Sequence, residues 1–314
     1  MFQLLDELGS PAPRVLGAVA QTTLRRSVVL HGVGVHTNVP ARLTLHPAPA
    51  STGITFQREG RLPLAARCEN VVDTMLRTAL GDAKGGTVNT VEHLLSACAG
   101  MGVDNLRVEI DGPELPAFDG SAAAFADAID AAGIVEEPHA RHCLKVLKPV
   151  HVHEGVAFAE FLPAEHGLTL DIEIDFADPV IGRQRKILGV DPGTFRREVS
   201  RARSFGFLRD LAHLQAGGLA LGASLDNTVA LLEDAVLNPE GLRFPDECVR
   251  HKMLDALGDL ALGGPPIIGI FRSYRGGHAL NVAAVRALLS DPSCFAVERA
   301  RGVEFECDIP AALV

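Results

Sequence analysis

No apolar run in this chain approaches the ~20 residues that a membrane-spanning helix needs. The opening residues, Met1-Phe2-Gln3-Leu4-Leu5-Asp6-Glu7, lack the basic end and apolar stretch of an export signal, so the expected location is the cytoplasm. Basic charge is also scarce. Lys and Arg number 29 against 39 Asp and Glu, a formal net charge of −10, which argues against nucleic acid as a main partner while leaving room for one basic pocket. The six cysteines, Cys68, Cys98, Cys143, Cys248, Cys294 and Cys307, contain no Cys-x-x-Cys, so a disulfide framework is not expected. Cys248 and His251 do form a Cys-x-x-His, but a structural zinc site normally needs a second such pair, and none is convincing. Buried free thiols are the better reading. No sustained repeat or low-complexity tract is present.

What remains is an ordinary globular composition. Apolar residues make up 47% and charged residues 22% of 314 residues, enough for two domains or one large one with a packed core. Residues 1 to about 20, with the breaker cluster Gly9-Ser10-Pro11-Ala12-Pro13, read as a loose extension. Strands are expected over 22–30, 41–45, 53–57 and 105–110. Helices are expected over 89–102, where Val91, Leu94, Leu95 and Cys98 repeat with helical spacing, and over 121–132, closed by Gly133. A first domain ends near Pro138, giving 21–138 and 139–314 as the two units. The second half offers strands near 144–153, 157–162, 168–176 and 267–274, and helices over 192–203 and 246–262. The stretch 206–235, rich in Gly, Leu and Ala, does not divide cleanly. This mixture gives an α/β or α+β fold of layered sheets and helices.

Two segments carry chemistry. His251 and Asp255 stand four apart in an expected helix and so project from one face. Thr90-Val91-Glu92-His93-Leu94 supplies an adjacent carboxylate and imidazole far upstream. Two histidines and an aspartate are a common ligand set for a catalytic zinc with one open position, and a neighbouring glutamate is a candidate general base. Each piece also has a plain reading. His251 and Asp255 make an i, i+4 ion pair, Asn89-x-x-Glu92 resembles a capping box, and His278, after Gly276-Gly277, is an unremarkable loop histidine. Residues and spacing together reach a metal hydrolase and stop there.

Several stretches, in order, resemble the zinc-dependent UDP-3-O-acyl-N-acetylglucosamine deacetylases of lipid A biosynthesis. They are Gly32-Val33-Gly34-Val35-His36-Thr37, Asp73-Thr74-Met75-Leu76, the Glu92-His93 segment, Phe118-Asp119-Gly120-Ser121, Ser200-Arg201-Ala202-Arg203-Ser204-Phe205, Arg250-His251-Lys252-Met253-Leu254-Asp255 through Asp259, and Tyr274-Arg275-Gly276-Gly277-His278. The resemblance implies an α+β fold of two similar layered domains, helices sandwiched between β-sheets, with the active site at their interface. It implies zinc on His93, His251 and Asp255, and Glu92 as general base. His278 would act as a protonated partner oriented by Asp259, and Ser204 as an oxyanion donor. Lys252 and Phe205 would contact the substrate, an acylated UDP-N-acetylglucosamine, and the 206–236 region would form a passage for the acyl chain. Leu208, Leu214, Leu219, Leu221 and Leu225 are plausible walls, although ordinary core packing also explains them. Departures from the family pattern are Ser204 where threonine is frequent, Ala157 near a position that some members fill with lysine, and Arg77 in place of a cysteine. A zinc peptidase or other amidase, and a non-catalytic lipid or nucleotide-sugar binder, remain the alternative readings.

Overall fold

The computed structural model describes residues 14–81 and 86–304. The expected loose extension is partly ordered: Arg14–Ala18 pairs antiparallel with Arg301–Glu304, while residues 1–13 and Cys307 lie outside the described residues.

Alternating apolar residues build the first sheet. Pro40–Pro47 and Leu106–Ile110 run antiparallel in the middle, flanked by Val28–Val33 on one side and by Ile54–Arg58 and Leu64–Ala65 on the other. Ala41, Leu43, Leu45, Phe56, Leu106, Val108 and Ile110 turn inward and are buried, which is what period-2 spacing on a one-sided sheet produces. The single strand expected over 22–30 is two, Ala20–Leu24 and Val28–Val33, separated by the exposed Arg25, Arg26 and Ser27. In the second half, Ile267–Tyr274 is the hub of a seven-stranded sheet. It runs antiparallel to Ala157–Leu162, parallel to Leu168–Asp175, and at its start parallel to His142–Val146.

Five helices matter here: α1 (Glu92–Met101), α2 (Ala123–Ala132), α3 (Leu208–Ala216), α4 (Glu247–Leu260) and α5 (His278–Ser290). Helices α1 and α4 pack on each other between the sheets, α2 against Val28–Val33, and α5 against Val150–Glu154 and Ala157–Leu162. The result is the expected α+β arrangement of helices between sheets. Its central pair comes very close: a Cβ on Gly258 of α4 would fall on the Glu92 carbonyl of α1, so only glycine permits this approach. Helix α4 is buried almost all round rather than along one stripe, with both Val249 and His251 inside.

Three local expectations differ. The helix expected over 192–203 is one turn at Pro192–Thr194 followed by π-helical Phe195–Val199. The unpartitioned 206–235 stretch holds α3 and two short parallel strands, Phe205–Phe207 and Val229–Leu231. The strand expected near 144–153 is two, His142–Val146 and Val150–Glu154, and Ile134–Ala140, around Pro138, runs antiparallel to Ala20–Leu24.

Candidate active site and metal centre

The N-terminus of α1 is set by an unusual residue. Thr90 holds left-handed backbone at φ 60°, a conformation costly for a β-branched residue. Its hydroxyl donates to the fully buried Glu114 carboxylate at 2.8 Å, which also accepts from the Thr37 hydroxyl at 2.6 Å and from the N–H groups of His36 and Thr37. Leu76 and Arg275 are left-handed as well, at φ 59° and 51°. These three strained positions precede Thr78, Glu92 and His278 by two or three residues, so each bends the chain just before it reaches the site.

His93 from α1 meets His251 and Asp255 from α4. Their donor atoms lie within 4.8 Å of one another, and all three residues are buried. His251 Nε2 is 3.3 Å and His93 Nε2 3.7 Å from Asp255 Oδ1. The two imidazoles meet edge to face with centroids 5.1 Å apart.

The protonation pattern indicates what this cluster is suited to hold. His251 Nδ1 is 3.1 Å from the Ala202 carbonyl, which can only accept, so Nδ1 carries the proton. Burial lowers the His251 pKa to about 4, so the ring is neutral and its Nε2 lone pair faces a carboxylate oxygen. Burial would raise Asp255, yet the groups around it, the Lys252 ammonium at 2.7 Å among them, hold it well below the usual carboxylate range. A lone pair against an anionic oxygen at 3.3 Å is repulsive unless a cation lies between them. Separations of 3.3 and 3.7 Å also approach the ~3.3 Å edge of a tetrahedron with bonds of about 2.0–2.1 Å. The donor set therefore fits a divalent metal, with the Ala202 carbonyl orienting one ligand from behind.

Glu92 is buried but is not a capping glutamate: the residue before α1 is Val91, with no side-chain cap. Its Oε2 accepts from the Thr78 N–H at 3.0 Å. Burial raises the Glu92 carboxyl above the ordinary glutamate range, against the opposing pull of His278 and His93. His278 is not a loop residue. It opens α5 directly after Gly277, where both burial and the positive end of the helix disfavour an imidazolium. Asp259 Oδ2, 2.9 Å from Nδ1, overcomes the burial and raises His278 to about 9. The same carboxylate accepts from Asn281 Nδ2 at 2.9 Å and from the Thr78 hydroxyl at 2.6 Å.

Other expected residues also gather here. Lys252 Nζ lies 2.7 Å from Asp255 Oδ2, and Phe205 stands edge-on to His251 with centroids 6.1 Å apart. Ser204 Oγ donates to the Gly120 carbonyl at 3.1 Å, while its N–H donates to the same oxygen at 2.7 Å. Among the five leucines of the 206–235 stretch, Leu208, Leu221 and Leu225 are exposed and Leu214 and Leu219 only partly covered. Ordinary core packing therefore does not explain them. Arg77 pairs with Asp73 at 3.0 Å, and Ala157 begins an interior strand of the second sheet. Thr78, Asn281 and Glu114 escaped the sequence reading. An isolated hydroxyl, amide or carboxylate has no spacing signature; the only hint to Thr78 was its place just beyond Asp73-Thr74-Met75-Leu76.

A family model described as UDP-3-O-acyl N-acetylglycosamine deacetylase matches residues 21–290. Among curated proteins, those named UDP-3-O-acyl-N-acetylglucosamine deacetylase from Brucella ovis, Brucella abortus and Brucella melitensis are each 50% identical over 281 residues, covering 88% of this chain and 98% of the relative.

Proposed function

The chain belongs to the UDP-3-O-acyl-N-acetylglucosamine deacetylase family, and from that premise we propose that it hydrolyses the acetamide of UDP-3-O-(3-hydroxyacyl)-N-acetylglucosamine, an early committed step of lipid A synthesis. The observation that carries this reading is the meeting of His93, His251 and Asp255 beside Glu92 and the His278–Asp259 pair. His93, His251 and Asp255 would hold zinc. When bound, that ion polarises a carbonyl oxygen and makes water more acidic.

The protein's own groups then have distinct tasks. Glu92 takes the proton of the attacking water: Thr78 anchors Oε2, which leaves Oε1 for the transfer, and its raised pKa suits a group that must accept and then pass on a proton. His278, protonated up to about pH 9, has Nδ1 committed to Asp259. Its second proton, on Nε2, serves the developing oxyanion or the departing amine. Ser204 adds a hydroxyl donor to the oxyanion by turning from Gly120. Lys252 has three N–H donors, so one can stay on Asp255 while another meets a substrate oxygen. Phe205 forms an apolar wall for the sugar, and the uncovered leucines of 206–235 take the acyl chain.

The halves 21–138 and 139–314 would each contribute to this site, with Glu92 and His93 from the first and the remaining groups from the second. A cytoplasmic location is supported by the cysteines among the described residues, all five free and buried, as expected of a protein kept in a reducing compartment. Intact Glu92 and His278 speak against a non-catalytic binder. Mass spectrometry of the acylated UDP sugar after incubation with the protein tests the reading. Loss of one acetyl group is expected; an unchanged substrate, or loss of the acyl chain instead, would overturn it.

A further inference from the structure

Thr78 is fully buried, and every polar group it has is spent on the catalytic apparatus. Its N–H donates to Glu92 Oε2 at 3.0 Å, its carbonyl accepts from the Val91 N–H at 3.2 Å, and its hydroxyl donates to Asp259 Oδ1 at 2.6 Å. The first two bonds hold the start of α1. The third reaches α4, from the other half of the chain.

We propose that Thr78 is a positioning residue that locks the Glu92 carboxylate to the His278–Asp259 pair across the interface between the two halves. This rests on the deacetylase reading above and adds a residue to it. Asp259 has no exposure to solvent, and its two oxygens are divided: Oδ2 receives His278 Nδ1 and Asn281 Nδ2, while Oδ1 receives the Thr78 hydroxyl. Among the described residues, Thr78 is the one hydrogen-bond donor to Oδ1. Without it, that oxygen is a buried acceptor lacking a partner, and the carboxylate turns to find another donor. Any such turn swings the Oδ2 edge that orients His278.

Threonine suits the task for two reasons. Its branched Cβ limits χ1, which fixes the hydroxyl direction more firmly than serine does. Its main chain, bent by left-handed Leu76 two residues earlier, is already bound to the first turn of α1. Glu92 and Asp259 are therefore both hydrogen-bonded to one residue, in addition to the close approach of their main chains at Gly258. Removing the hydroxyl alone leaves the main-chain bond to Glu92 intact, so the perturbation travels through Asp259 to His278.

The test compares Thr78→Val, Thr78→Ala and Thr78→Ser with the wild type in steady-state acetate release from the acylated UDP sugar, with bound metal quantified in each. A wild type that releases no acetate refutes the deacetylase reading itself. Given an active wild type, Thr78→Val is expected to keep its metal and KM while kcat falls roughly ten- to hundred-fold. Thr78→Ser is expected to stay within a few-fold of wild type. If valine prevents folding, alanine and serine, which differ by the hydroxyl alone, decide the matter. Equal kcat for alanine and serine, or wild-type kcat in Thr78→Val, would overturn the proposal.

Discussion

Replacing Asp259 by asparagine probes the proton-holding half of the site without enlarging or emptying it. The amide keeps one oxygen for His278 Nδ1 and Asn281 Nδ2, and turns its nitrogen toward the Thr78 hydroxyl, which can accept as well as donate. What disappears is the negative charge. In the native protein that charge raises His278 from an ordinary 6.5 to about 9 despite burial, a preference for the protonated ring worth about 3 kcal/mol. Without it, burial and the start of α5 are opposed only by the weaker pull of Asp255 and Glu92, and the His278 pKa falls. A group with a raised pKa is charged below that value and loses its proton as pH rises through it. The native alkaline limb of kcat is therefore expected near pH 9, and the variant's at clearly lower pH. At pH 8 about nine in ten native rings are protonated and far fewer variant ones, so kcat drops by roughly ten-fold or more, with a much smaller loss at pH 6. The assay is acetate release from pH 5 to 10 for both proteins. A loss of equal size at every pH, or an alkaline limb that does not move, would refute the assignment of His278 and Asp259.

His93→Ala, His251→Ala and Asp255→Ala are each expected to lose bound metal by elemental analysis after gel filtration; a full equivalent retained in all three would place the ion elsewhere. Glu92→Gln preserves shape and keeps the metal, but kcat should fall by about 10²–10⁴-fold in the same acetate assay. Gly258→Ala puts a methyl group on the Glu92 carbonyl, so it should destabilise the fold by about 1–3 kcal/mol and lower activity, seen as a reduced Tm in circular dichroism. Unacylated UDP-N-acetylglucosamine should be cleaved far more slowly than its 3-O-acylated form at equal subsaturating concentration, since each buried chain methylene is worth about 0.8 kcal/mol. Equal rates would remove the acyl passage from 206–235.

The parts of this molecule that were legible in its sequence are those governed by periodicity. The i, i+3, i+4 stripe of α1 and the glycine at 102, left-handed at φ 77°, give a helix with a defined end. The strands expected over 157–162 and 267–274 match Ala157–Leu162 and Ile267–Tyr274 to the residue. The candidate metal ligands were legible because His251 and Asp255 share a helix face and because the ordered motifs resemble a known family. What spacing does not encode is tertiary choice. Glu92 fits a capping pattern, yet its carboxylate turns to Thr78 because Thr90 enters the helix from a left-handed bend. His278 follows two glycines and reads as loop, but Gly277 is the cap of a helix whose interior is fixed by packing on the second sheet. Thr78 and Glu114 act through bonds to residues 14 to 181 positions away, and no local pattern announces them.

Hydrolysis is expected to depend on one metal ion held by His93, His251 and Asp255 beside Glu92. The most direct test strips the protein with a chelator, confirms by circular dichroism that it is still folded, and follows acetate release from the acylated UDP sugar as zinc is returned. Activity should be absent at first and rise in proportion to added zinc until about one equivalent per chain is bound. Full activity in the folded, metal-free protein would contradict the account.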